Sequence, residues 1–126
     1  MIFKPVLVDK IQRDHKRITR RRLTALRYQA GREYVLQPGR GKPHVGHICV
    51  VSVHKEPLFS MTRADAGREG FYTFTGDGDL EAFREYWRAL YGRIDLDEIV
   101  AVIEFRYTGQ RECCAPFKYP KQGALL

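Results

Sequence analysis

Acidic side chains are scarce in the first third of this 126-residue chain. Residues 1–44 carry 12 Lys/Arg against 3 Asp/Glu, a balance of +9, and residues 45–126 carry 10 against 12, a balance of −2. A cation excess gathered in one part of a small chain makes a one-sided potential, the footprint expected for polyanions such as RNA, DNA or nucleotides. Cysteine is scarce too. Cys49, Cys113 and Cys114 are an odd number, and adjacent cysteines rarely bridge each other, so a disulfide framework is excluded. Three reduced thiols are the simplest expectation. No apolar run approaches the ~20 residues that span a bilayer. The opening "MIFKPVLVDKIQ" is broken by Asp9 and Lys10 and lacks the apolar core of a signal peptide. The expectation is a cytoplasmic chain with no membrane partner. The length suits one domain.

What is present reads as alternating short elements. Pro5 at a first helical position, with Leu7, Val8 and Ile11 on one face, predicts a helix over 5–13. The basic stretch "DHKRITRRRL" reads as a loop leaving that helix. A short strand at about 33–37 and a Gly/Pro-rich turn follow. "GHICVVSVHKEPL" reads as a strand buried on both faces. "SMTRADAGREGF" predicts one or two helical turns, capped by Ser60 or Thr62, with Asp65 in the first turn and Gly70 at the end. "FYTF" is a strand or an aromatic loop. Residues 79–91 predict the most secure helix, with Leu80, Phe83, Trp87, Leu90 and Tyr91 on one stripe and Gly92 as its stop. Residues 98–107 read as a strand. This pattern predicts an α+β domain around a small barrel or strongly bent sheet over residues 1–108, with 109–126 as a loosely ordered arm.

Five side-chain groupings are candidates for chemistry. In the basic stretch, Lys16 stands among Arg17, Arg20, Arg21 and Arg22, and like charges should lower its pKa. A partly neutral lysine serves as a general base, and Thr19 nearby is a weak oxygen nucleophile that such a base activates. Arg21 suits a phosphate or carbonyl oxygen. The plainer alternative is a solvated basic face gripping phosphates, extended by Arg27, Arg40 and Lys42. Glu69, just before Gly70 and Phe71, either faces a pocket or sits on the surface. His44, His47 and Cys49, with Cys113 and Cys114 as further donors, invite a zinc reading. No Cys-x-x-Cys pair supports it, so neither metal nor cofactor is expected. Tyr72 and Phe74 are candidates for stacking on bases, while Phe71, Tyr86, Trp87 and Tyr91 read more simply as core. "QPGRGKP" lacks the spacing of a phosphate loop and reads as a turn with an accessory basic patch.

The order of these pieces resembles the ASCH domain, a branch of the PUA-like superfamily. "FKPVLVDKIQRDHKRITRR" is similar to the family's short helix followed by its G-x-K-x-x-[E/T]-x-R signature. Lys16, Thr19 and Arg21 stand at the lysine, the variable Glu/Thr and the arginine. "YQAGREYVLQPG", "HICVVSVHKEPL", "DAGREGF" and "IVAVIEFRY" follow in the family's order, covering about residues 1–108. The resemblance implies a small PUA-like barrel with helices around it, a cleft with the signature at its rim, and binding of RNA. For a subgroup with threonine at the variable place it implies hydrolysis of N4-acetylcytidine, with Lys16, Thr19 and Glu69 carrying the reaction. The chain departs from the pattern at Asp14, which replaces the signature glycine. Glycine adopts a positive φ more cheaply, and Asp14 is placed to pair with Lys16 and keep it charged. The leading expectation is RNA or other nucleic-acid binding through Lys16, Arg17, Arg20, Arg21, Arg22, Arg27, Arg40, Lys42 and Tyr72. The alternative is an amidohydrolase acting on N4-acetylcytidine or a related modified nucleoside. The oligomeric state is left open.

Overall fold

The computed structural model describes residues 1–109. The expectation for the arm at 109–126 therefore lies, apart from Gly109, outside the described residues. In chain order the elements are helix α1 (Pro5–Gln12), strand β1 (Ile18–Arg21), a 3-10 turn (Leu23–Arg27), strand β2 (Glu33–Val35), strand β3 (His47–Pro57), a second 3-10 turn (Leu58–Ser60), helix α2 (Arg63–Arg68), helix α3 (Leu80–Tyr91) and strand β4 (Ile99–Gly109). The strands form one antiparallel sheet in the order β1-β4-β3-β2. The α+β expectation holds. The sheet is open among the described residues, where a barrel was expected, and its two edge strands are only four and three residues long.

β4 runs through the middle of the molecule. Val100, Ala101, Val102, Ile103 and Phe105 are all buried, as a strand paired on both edges requires. β3 departs from its expected burial on both faces. Only Ile48–Val50 is fully buried, and His54 and Lys55 reach solvent although they pair with the buried Val102 and Ala101 of β4, beyond the stretch of β3 that β2 covers. Register shifts after His47 and Val50 bend it.

The basic stretch is not wholly a loop. Ile18–Arg21 pairs with β4, Ile18 opposite Glu104 and Thr19 opposite Ile103. The charge run hides two β-branched residues that suit a strand. Pairing with a central apolar strand decides the matter.

The helices follow the sequence closely. α1 buries Leu7, Val8 and Ile11. α2 begins with a capping box in which Thr62 Oγ1 accepts from Asp65 N–H and the Asp65 carboxylate accepts from Thr62 N–H. α3 is capped by Asp79, which accepts from Ala82 N–H, and stops at Gly92 with φ +83°. Leu90 falls off the expected core stripe and is exposed. Residues 71–78 form an aromatic loop rather than a strand, with one bridge between Tyr72 and Gly78. Two apolar clusters result. α1, β3 and β4 enclose one, around Phe3, Ile11, Leu36, Ile48 and Phe105, and α2 and α3 enclose the other, around Met61, Phe83 and Trp87. Among the described residues no helix is long and apolar enough to cross a membrane.

Cys49 is buried and disulfide-bonded, which corrects the expectation of three reduced thiols. Cys113 and Cys114 lie outside the described residues.

Candidate active site

The link between α1 and β1 sets the site. Asp14, at the signature's glycine position, has φ +64°, the left-handed region that glycine reaches most cheaply. Its carboxylate is ion-paired with Arg17 at 2.6 Å, not with Lys16 as the sequence allowed. The turn delivers Lys16 inward and Arg17 outward. Gly70, with φ +94°, receives the lysine: a Cβ there would stand 3.4 Å from Lys16 Cβ and 3.1 Å from Lys10 Cδ.

Four polar side chains are buried at this place: Lys16 (3% exposed), Thr19 (5%), Arg20 (6%) and Glu69 (2%). Lys16 Nζ donates to the backbone carbonyls of Ile18 and Glu69, both at 2.9 Å, and lies 3.4 Å from Glu69 Oε1. Glu69 caps the C-terminus of α2, and its other oxygen accepts from Arg20 Nη1 at 2.9 Å. Arg20 Nη2 turns to Glu56 at 2.7 Å and lies 3.6 Å from Asp65. Arg20 is thus enclosed by three carboxylates.

The charges of this cluster are unequal in standing. Burial pushes the Lys16 ammonium down to about 8, against the pull of Glu69, with Arg21 and Lys10 adding to the fall. Like charges, the cause expected from the sequence, are the smaller part. Burial also works against the Arg20 charge, but Glu69 and Glu56 outweigh it and hold the guanidinium above its ordinary range.

A cleft of about 440 Å³ opens onto the cluster. That volume falls in the ~300–1,000 Å³ range of small-molecule sites. Lys16, Thr19, Arg20, Arg21 and Glu69 line it, with aromatic walls from Phe3, Tyr86 and Tyr91. Ile2, Lys4, Gly39, Arg40 and Leu90 also line it. Arg21 lies over the Phe3 ring, 4.6 Å from its centroid, and donates to Ile2 O at 2.6 Å. Burial lowers its pKa. Thr19 and Arg21 share a face of β1, the period-two relation of a strand.

The structure therefore brings Lys16, Thr19 and Glu69 into one cleft. The hydrogen bonds of Lys16 go to Ile18 and Glu69 rather than to Thr19. The remaining sequence candidates divide. Lys16 and Arg20 are withdrawn from the surface, because buried carboxylate and carbonyl partners hold them. Arg17 and Arg22 are exposed but paired, with Asp14 at 2.6 Å and Glu98 at 3.5 Å. Arg27 is exposed and lies over the Tyr28 ring. Arg40 and Lys42 are exposed on the Gly/Pro turn. Tyr72 lines a different, shallow hollow with Asp14, His15 and Arg17. His44 and His47 have ring centres 5.4 Å apart, and among the described residues no group of three or more His, Cys, Asp or Glu converges as a metal site.

Sequence reasoning missed Glu56 and Asp65 as partners of Arg20, and Phe3 and Lys4 as cleft residues. Tyr86 and Tyr91, read as core, do pack against the apolar clusters and also wall the cleft. A buried arginine needs carboxylates, but nothing local in the sequence says which ones.

No known family model matches the sequence, and no curated protein matches it. Solved structures do match the fold. An ASCH domain from Lactobacillus crispatus is 23% identical with a TM-score of 0.65, over 81% of this chain and 70% of that one. A protein of the DUF984 family from Enterococcus faecalis is 17% identical with a TM-score of 0.61, over 82% and 68%. A point mutant of the ASCH protein of Zymomonas mobilis is 15% identical with a TM-score of 0.59, over 87% and 68%. The chain has the fold of an ASCH domain.

Proposed function

We propose that this cleft hydrolyses the exocyclic amide of an N4-acylated cytidine, N4-acetylcytidine being the first candidate. The observation that carries the reading is the meeting of Lys16, Thr19 and Glu69, all buried, in one cleft of nucleoside-binding size. A lysine with a pKa near 8 is close enough to neutrality to act as a general base at physiological pH.

In this reading Thr19 Oγ1 attacks the acetyl carbonyl carbon and Lys16 accepts the hydroxyl proton. Arg21 faces the developing oxyanion. The tetrahedral intermediate collapses, the C–N bond breaks, and Lys16 returns the proton to the leaving N4 amine. Cytidine departs. Water activated by the same lysine then cleaves the acyl–Thr19 ester to release acetate. Glu69 is a positioning residue: one oxygen steadies Lys16 and the other is fixed by Arg20. The 3.4 Å contact is the loosest of the lysine's bonds and the easiest to exchange for substrate.

The test is release of cytidine from N4-acetylcytidine by the wild type, Thr19→Val and Lys16→Met. The expected outcome is turnover in the wild type and a loss of at least about 10²-fold in each variant, the scale of general-base and nucleophile removal. Circular dichroism checks that both variants fold. Absence of wild-type turnover above background overturns this substrate.

Binding of RNA is a second reading. Exposed Arg27, Arg40 and Lys42 and the charge asymmetry of the first third favour it. Burial of Lys16 and Arg20, and the pairing of Arg17 and Arg22, count against the basic stretch as its grip. A steep fall of RNA affinity with salt is its signature.

A further inference from the structure

The chemistry above uses the buried end of the cleft and leaves part of its lining unexplained. Five cations line the cleft, Lys4, Lys16, Arg20, Arg21 and Arg40, against a single carboxylate, Glu69. That carboxylate is already committed to Lys16 and Arg20. Lys4 and Arg40 are exposed, and neither is ion-paired among the described residues. Lys4 lies over the Tyr86 ring at 5.5 Å, which seats its stem against the aromatic wall. Arg40 stands in a turn with glycines on both sides, which lets backbone and guanidinium approach a ligand together. Arg21 also lacks a carboxylate ion pair among the described residues.

A neutral nucleoside gives these cations nothing to neutralise. A phosphate monoester, at about −1.5 to −2 charge and with three acceptor oxygens, does. We infer that the cleft takes a pyrimidine nucleotide, its base against the Thr19 end and its phosphate against Lys4 and Arg40. This rests on the reading of the cleft as a cytidine site. It adds that the preferred ligand is phosphorylated. A mononucleotide is favoured over a polynucleotide because Arg17 and Arg22, the exposed cations of the basic stretch, are already paired with Asp14 and Glu98.

The experiment is calorimetric titration of the whole chain with cytidine 5′-monophosphate and with cytidine, in the wild type and in Lys4→Gln/Arg40→Gln. Both substituted residues are exposed, so the variant should fold. The nucleotide should bind at least about tenfold more tightly than the nucleoside, the scale of one to two charge-assisted contacts. The double variant should close most of that gap and leave cytidine affinity unchanged. Equal affinities, or no binding of either compound, overturn the inference. So does a short oligocytidylate that binds far more tightly than the monophosphate, which would assign Lys4 and Arg40 to a strand. Turnover is not read, so the outcomes separate: the amidohydrolase reading fails on cytidine release, and this one fails on the nucleotide–nucleoside gap.

Discussion

Lys16, the base of the proposed chemistry, carries a cost to folding. Its folded pKa near 8 lies below the ordinary 10.5, so between those values the unfolded chain holds more protons than the folded one. Stability then rises with pH across that window, and below about pH 8 the full penalty of a buried ammonium is present. Urea unfolding of the wild type at about pH 8 and about pH 10 should show a rising contribution that Lys16→Met abolishes. An unchanged slope in the variant would mean that the lysine is better solvated than its 3% exposure implies. Under the amidohydrolase reading the same pKa sets the rising limb of the rate profile. Part of this was legible in the sequence. The spacing of Lys16 and Thr19, and Glu69 just ahead of Gly70, mark the candidates. The fate of Arg20 was not legible, because its partner Glu56 stands 36 positions away and local reading takes every arginine in a run as solvated.

At the scale of elements, the loop after α2 holds Glu69 in place by close backbone packing. A Cβ on Gly78 would collide with the backbone oxygen of Arg63, an overlap that no side-chain rotation relieves. Gly76 differs: its φ is +93°, but an added Cβ meets nothing within 4 Å. Gly76→Ala should therefore cost about 1–2 kcal/mol, the strain of a left-handed residue. Gly78→Ala should cost about 3 kcal/mol or more and move α2 against the loop. Thermal denaturation of the two variants side by side tests the order, and equal losses would refute it. Element identity was mostly readable, since caps and periodicity located α1, α2 and α3. β1 was misread because a strand's main support, its partner β4, lies at the other end of the described chain, and a run of charges gives no hint of that pairing.

The whole molecule is organised around one strand. β4 pairs with β3 over nearly its full length and with β1 beside it, and it buries five of its own side chains. β2 joins the sheet through three residues at an edge. Amide hydrogen exchange should run slowest at Val102 and Ile103 and several orders of magnitude faster in β2, since local opening frees edges before centres. Uniform protection across the sheet would overturn that order. The barrel implied by the resemblance is not closed among the described residues, where the sheet ends in two short edge strands whose boundaries pattern reading fixes poorly.

The position of β4 has a consequence for synthesis. The central strand is the last element of the described chain to leave the ribosome, while β1, which carries Thr19, is among the first. Until Ile99–Gly109 has emerged, β1 has no partner and the buried lysine has no closed interior. The nascent chain must hold its basic stretch without the strand that β1 docks on, exposed to every anionic surface nearby.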